Sequence, residues 1–193
     1  MQALKDRILA EGKNLGDGIL KIDGILNHQM HPRLIQEMGA NIAAYFRDQN
    51  PTRILTAEVS GIAPALMTGI VLNIPVVFAR KKKPITMFGP VLLETAPSHT
   101  KGEEIMLLVA SEYLPVEARV LIVDDFLGTG QTLRALARIV EGAGAEVIGI
   151  AAVVEKSFEG GRKVLVDANF ESVPVYSLVN ITNMDNGEIV FAD

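Results

Sequence analysis

The residues most able to do chemistry lie in one run, Val120-Leu121-Ile122-Val123-Asp124-Asp125-Phe126-Leu127-Gly128-Thr129-Gly130-Gln131-Thr132. Apolar residues lead into two adjacent carboxylates, then a small-residue loop, then a sequence able to start a helix. A helix start offers unpaired backbone N–H groups and about half a positive charge, a combination that binds phosphate. Gly128 and Gly130 would let the backbone approach closely, and Thr129 and Thr132 add hydroxyl donors. Carboxylates aimed at the same phosphate would repel it. Asp124 and Asp125 make sense if they grip sugar hydroxyls or a metal-bound water. A phosphate cradle beside a diol grip describes a site for ribose 5-phosphate.

Competing readings of the loop are weaker. A dinucleotide fingerprint needs a third glycine where Leu133 stands, and a Walker loop needs a Gly-Lys-Ser/Thr that is missing. An ordinary tight turn with solvated acids at a strand end is the blander alternative. Of the three histidines, His28 and His31 have a helix-face spacing, but Pro32 follows at once, so loop or helix-start histidines are the simpler reading.

These residues need a scaffold, and the pattern supplies one. Ala3 to Glu11 reads as a short amphipathic helix stopped by Gly12, and Leu15 to His31 reads as irregular. Leu34, Met38, Ile42 and Phe46 recur every four residues behind Pro32, which suits a first helical position. Arg53 to Glu58 predicts a strand, Ile62 to Leu72 a helix, and Pro75 to Ala79 another strand. That order implies a parallel sheet with a crossover helix. From Lys81 to Glu117 prolines and glycines break up short apolar runs, which predicts a projecting antiparallel flap over about 82–117. The sheet resumes with Arg119 to Asp124, followed by a loop over Phe126 to Gly130 and a helix carrying Leu133, Leu136, Ala137 and Val140. Strands near Glu146 to Val154 and Val173 to Leu178 flank a helix near Gly161 to Asn169. The expected fold is an open, mostly parallel α/β sheet with flanking helices, with ligands at the carboxyl ends of its strands.

A chain of 193 residues suits one domain. Hydrophobic residues make up 49% and charged residues 21%, enough for a real core and against disorder. There are no cysteines, so disulfides and thiolate chemistry are excluded, and a reducing cytoplasmic location fits. No signal peptide pattern opens the sequence, and no stretch reaches the roughly 18 apolar residues of a membrane span. The formal net charge of -5 and the short basic run Arg80 to Lys83 speak for a local anion site and against nucleic-acid binding.

The segment Val120 to Thr132 resembles the phosphoribosyl pyrophosphate signature of the type I phosphoribosyltransferases. The resemblance runs along nearly the whole chain and is closest to the bacterial xanthine branch. It rests on Leu20-Lys21-Ile22-Asp23, Leu26-Asn27-His28-Gln29, Glu58 to Ala65, Pro75 to Lys81 and Glu155-Lys156-Ser157-Phe158. Val59 departs from the small residue expected in its turn. The resemblance implies a single domain whose segment 1–31 forms part of a base-binding hood. It implies transfer of ribose 5-phosphate from phosphoribosyl pyrophosphate to N9 of xanthine. It assigns Gly128, Thr129, Gly130, Gln131 and Thr132 to the 5-phosphate, Asp124 and Asp125 to the ribose, and Leu20, Asn27 and Lys156 to the base. Magnesium is expected with the pyrophosphate, without a dedicated protein site, and a homodimer is expected, its apolar run Ile105 to Val109 needing cover.

Physical readings stand beside these. Ser60 and Gly61 suit a turn whose N–H groups face pyrophosphate, or a plain strand-to-helix cap. Arg80 and Lys81 would neutralise pyrophosphate, or form a solvated run. Lys156 would donate to a base carbonyl, or pair with Glu155. Asn27 would read a base edge, or serve turn chemistry. Two other functions remain in view: an adenine or hypoxanthine-guanine phosphoribosyltransferase, and a regulator of the same fold that binds nucleic acid.

Overall fold

The computed structural model describes residues 1–97 and 104–192. Helix α1 (Gln2–Glu11) leads into a two-residue hairpin, β1 (Lys13–Asn14) with β2 (Leu20–Lys21), and a π-helical turn over Asp23–Asn27. The segment read as irregular thus has short order of its own, in pieces too brief to show a period. Helix α2 (Pro32–Phe46) follows, with Pro32 in its first turn and Leu34, Met38, Ile42 and Phe46 all buried. Next come β3 (Arg53–Ala57), α3 (Ile62–Leu72) and β4 (Val76–Ala79). A hairpin of β5 (Val91–Pro97) and β6 (Glu104–Ala110) interrupts the alternation before β7 (Arg119–Leu127), α4 (Gln131–Gly142) and β8 (Glu146–Lys156). The chain ends with α5 (Gly161–Asp167), β9 (Val175–Asn183) and the short β10 (Val190–Phe191).

Six strands form the main sheet in the order β10-β9-β8-β7-β3-β4, all parallel except the β10 edge. This is the open α/β sheet that the sequence predicts. Its central strands alternate between two cores. Leu121 and Val123 of β7 pack with α1, the π-helical turn and α2, whereas Val120 and Ile122 pack with α4 and the β5–β6 hairpin. Each core draws its stability from apolar area removed from water, about 25 cal/mol per Å².

Three expectations change. Strand β7 runs on through both acids to Leu127, so the loop shortens to Gly128–Gly130. Strand β8 likewise extends to Lys156, because buried neighbours can hold charged residues in a strand when each finds a partner. The flap is no free projection. Leu107, Leu108 and Val109 of β6 are buried, and Leu107 and Val109 pack into the second core. The second half of the run Ile105 to Val109 is therefore covered within its own chain, whereas Met106 is 47% exposed. The tip of the predicted flap, 98–103, lies outside the described residues.

Candidate active site

The site forms where β3 and β7 part. Their ladder pairs Arg53 with Val120, Ile54 with Leu121 and Leu55 with Ile122, then stops. β7 continues alone beside β8, with Asp124 opposite Ala152 and Phe126 opposite Val154. The divergence opens a crevice at the carboxyl end of the sheet, with Asp124 and Asp125 on its wall. Asp124 is only 5% exposed. Burial, and then the charge of Asp125, push its carboxyl well above the usual carboxylate range. Burial also raises Asp125, against the opposing pull of a hydrogen bond from Asn27.

The acids are shared by two clefts. The smaller, about 140 Å³, is lined by the Glu58–Gly61 turn, Lys81, the two acids and Thr132. The larger, about 470 Å³, is lined by Asp17 to Leu20, the acids, Phe126, Gly128 to Leu133, Lys156 and Glu159. Every residue of the predicted phosphate loop therefore faces the second cleft. Gly130 caps α4 with φ of 77°, a left-handed conformation that glycine adopts without steric cost.

The turn after β3 lies tight against the acids. A Cβ on Gly61 would stand 2.5 Å from Asp124 Oδ1 and would also collide with Thr56 Oγ1, so only glycine fits. Ser60 Oγ accepts a 2.9 Å hydrogen bond from Asn27 Nδ2, which also donates to Asp125 Oδ2 at 2.9 Å. Asn27 thus ties the π-helical turn to both the turn after β3 and the acid pair. Its amide donors, expected at a base edge, are engaged inside the protein. Leu20 is half-buried and lines the larger cleft.

Arg80 and Lys81 separate. Glu58 takes an ion pair from Arg80 Nε at 2.8 Å and accepts the Lys81 backbone N–H at 2.7 Å. Lys81 lines the acid cleft, but Arg80 turns to the other side, its guanidinium 5.7 Å from the Phe78 ring centroid in a groove with Arg53, Val77 and Tyr113. The structure does not bring Arg80 to the acids.

Lys156 is 8% exposed and does not pair with Glu155. Its ammonium pairs with Glu159, donates to the Gly18 carbonyl at 3.0 Å and stands 5.8 Å from the Phe126 ring centroid. Glu155 is held by Arg162 and Ser177 instead. Sequence reading missed Glu58, Phe126 and Glu159. The three-residue spacing of Lys156 and Glu159 was a usable signal for the last of these.

Residues 25–177 match the family model described as the phosphoribosyl transferase domain. The chain belongs to this family. Curated phosphoribosyltransferases similar to it include the xanthine phosphoribosyltransferase of Deinococcus deserti, 50% identical over 97% of this chain and 95% of that protein. The xanthine phosphoribosyltransferase of Stutzerimonas stutzeri is 42% identical over 100% of both chains. Among solved structures, adenine phosphoribosyltransferase from Rhodothermus marinus superposes with a TM-score of 0.75 at 26% identity, covering 94% of this chain and 100% of that one. The type I phosphoribosyltransferase fold expected from the signature is thus the fold observed.

Proposed function

We propose that this phosphoribosyltransferase transfers the 5-phosphoribosyl group from phosphoribosyl pyrophosphate to N9 of xanthine, releasing pyrophosphate and forming xanthosine monophosphate. The carrying observation is the acid pair standing between two clefts, one with a glycine turn and a lysine, the other with a phosphate loop and a buried lysine. That layout accommodates a substrate with a phosphate at each end of a ribose. The bond from C1 of the ribose to the pyrophosphate oxygen breaks as N9 bonds to C1, the electron pair leaving with pyrophosphate and the proton lost from the base passing to water or to the pyrophosphate. Positive charge grows on the sugar and negative charge on the leaving group, so catalysis is mainly positioning and charge stabilisation.

In this reading Asp124 and Asp125 accept hydrogen bonds from the ribose hydroxyls. The N–H groups of Gly128, Thr129, Gly130, Gln131 and Thr132 hold the 5-phosphate. Ser60, Gly61 and Lys81 receive the pyrophosphate, with Arg80 acting only through Glu58. Leu20 packs on the base plane and Lys156 donates to a base oxygen. Asn27 joins the base site only if its amide leaves Ser60 and Asp125. Segment 1–31 supplies part of the hood, joined to the main core by Leu4, Ile8, Ile22, Ile25 and Leu26.

Magnesium fits as an ion that arrives with the pyrophosphate. Phosphate oxygens are hard donors of the kind it prefers, so the pyrophosphate itself would carry it into the cleft beside the acids. When bound, it would screen the charge of the pyrophosphate. No helix among the described residues is long and apolar enough to cross a membrane. We place the activity in purine salvage in the cytoplasm.

The xanthine assignment is supported by the names of the relatives at 42–50% identity. A panel of purine and pyrimidine bases with phosphoribosyl pyrophosphate, scored for pyrophosphate release, tests it. Xanthine should be used best, guanine and hypoxanthine less, and adenine hardly at all. Adenine as the best substrate would overturn the base assignment, and no turnover with any base would favour a non-catalytic regulator.

The homodimer now rests on a different surface. Ile70 on α3 is 62% exposed and Phe78 on the edge strand β4 is 40% exposed, with Leu66 and Val71 nearby in sequence on the same helix. Such an apolar face needs cover. Light scattering at micromolar concentration should give twice the chain mass, and Ile70→Glu should shift it toward the monomer. A monomeric wild type would refute the assembly.

A further inference from the structure

The phosphate loop does not stand alone. Its backbone rests on the first turn of α5. A Cβ on Gly130 would lie 2.5 Å from the Gly161 carbonyl oxygen, 2.9 Å from its Cα and 3.0 Å from its carbonyl carbon. The approach is mutual. A Cβ on Gly161 would fall onto the Gly128 carbonyl oxygen, 2.6 Å from Leu127 Cδ1 and 2.9 Å from the Gly130 nitrogen. Two glycine backbones therefore press together with no side chain between them. Backbone is a hard stop, because no rotamer change can relieve it.

The first turn of α5 is itself fixed. Arg162, next to Gly161, bonds both oxygens of Glu155 with Nε at 2.6 Å and Nη2 at 2.7 Å. Its Nη1 donates to the Val175 carbonyl at 3.2 Å. Glu155 is 2% exposed, and Ser177 Oγ donates to it at 2.7 Å. A forked guanidinium–carboxylate pair is geometrically specific. It ties α5 to β8 and β9, and Arg162 is not among the residues that line the larger cleft.

We infer that Gly161, anchored by the Arg162–Glu155 pair, is a positioning residue that sets the height of the phosphate loop and so the affinity for the 5-phosphate of phosphoribosyl pyrophosphate. This rests on the phosphate-loop reading proposed above and extends it to residues that touch no substrate. Gly161 is helical, so alanine there meets no backbone strain of its own. Its methyl group can be accommodated only by moving the loop or α5.

Calorimetry with ribose 5-phosphate, together with steady-state kinetics, tests the inference. Gly161→Ala should weaken ribose 5-phosphate and raise the KM for phosphoribosyl pyrophosphate by about tenfold to hundredfold, the scale of a misplacement near 1 Å. The KM for xanthine should stay near wild type, a split that general loss of structure would not produce. Arg162→Met cuts the anchor without adding an atom to the loop, and should shift the same constants in the same direction by less. Wild-type affinity for ribose 5-phosphate in folded Gly161→Ala would overturn the inference. Should Gly161→Ala fail to fold, unchanged affinity in Arg162→Met would overturn it equally. A wild-type protein that does not bind ribose 5-phosphate would instead sink the phosphate-loop reading itself.

Discussion

Replacing both acids, Asp124→Asn with Asp125→Asn, should lower turnover by about a hundredfold or more while the protein stays folded. Loss of a preorganised polar contact at a reacting centre commonly costs that much. The same variant should be more stable than wild type at neutral pH. Both carboxyls are raised by burial, and Asp124 further by its neighbour's charge. A raised native pKa means that the folded state holds its protons more tightly than the unfolded state, whose value is about 3.9. Wild type is therefore most stable, as far as this pair is concerned, below that value. It loses that increment as pH climbs through the raised native values. The advantage of the variant should be small at about pH 4 and grow with pH, reaching roughly 0.5–2 kcal/mol, which for a chain of this size is a few degrees in Tm. Turnover and thermal melts across pH check both halves. Near-normal turnover in the folded variant would remove the acids from the site, and an advantage that shrinks with rising pH would contradict their strained burial.

The second large effect concerns Lys156. An ammonium has three donors and no acceptor. Gly18 and Glu159 engage it from the protein side, which leaves donor capacity for an oxygen in the cleft. Xanthine carries an oxo group at position 6 and adenine an amino group. Lys156→Ala should raise the KM for xanthine about tenfold to hundredfold, because an unpaired buried polar group costs about 1–3 kcal/mol and 1.36 kcal/mol is a factor of ten. The KM for phosphoribosyl pyrophosphate should change little. Lys156→Met keeps the aliphatic stem over Phe126 and should behave alike, which separates the charge from the packing. Equal weakening of both substrates would remove Lys156 from the base site.

The central strand and its loop were legible because they are local. A run of apolar residues, two acids and a small-residue helix start announce themselves within thirteen positions. Strand ends were read short at β7 and β8, where charged residues look like loop until their buried partners are known. The two-residue strands β1, β2 and β10 are below the length at which any period shows. Arg80 and Lys81 illustrate a further limit. Arg80 sits just past the end of β4 and Lys81 in the bend after it, and their side chains go to different clefts. Only the position of Glu58 shows which one turns away. The bonds of Asn27 to Ser60 and Asp125 join parts of the chain that are distant in sequence and leave no local trace in it.

The stretch from Leu20 to Asn27 carries two kinds of residue. Ile22, Ile25 and Leu26 are buried in the core, whereas Leu20 lines the cleft and Asn27 is exposed and bonded to Ser60 and Asp125. On the function proposed above, anchoring and base selectivity fall on different side chains, and the phosphoribosyl machinery would lie elsewhere in the chain, at the ends of β3 and β7. Such a division would make the protein evolvable: a change at position 20 would retune which base is accepted at little folding cost, whereas a change at position 27 would also loosen its bonds to Ser60 and Asp125.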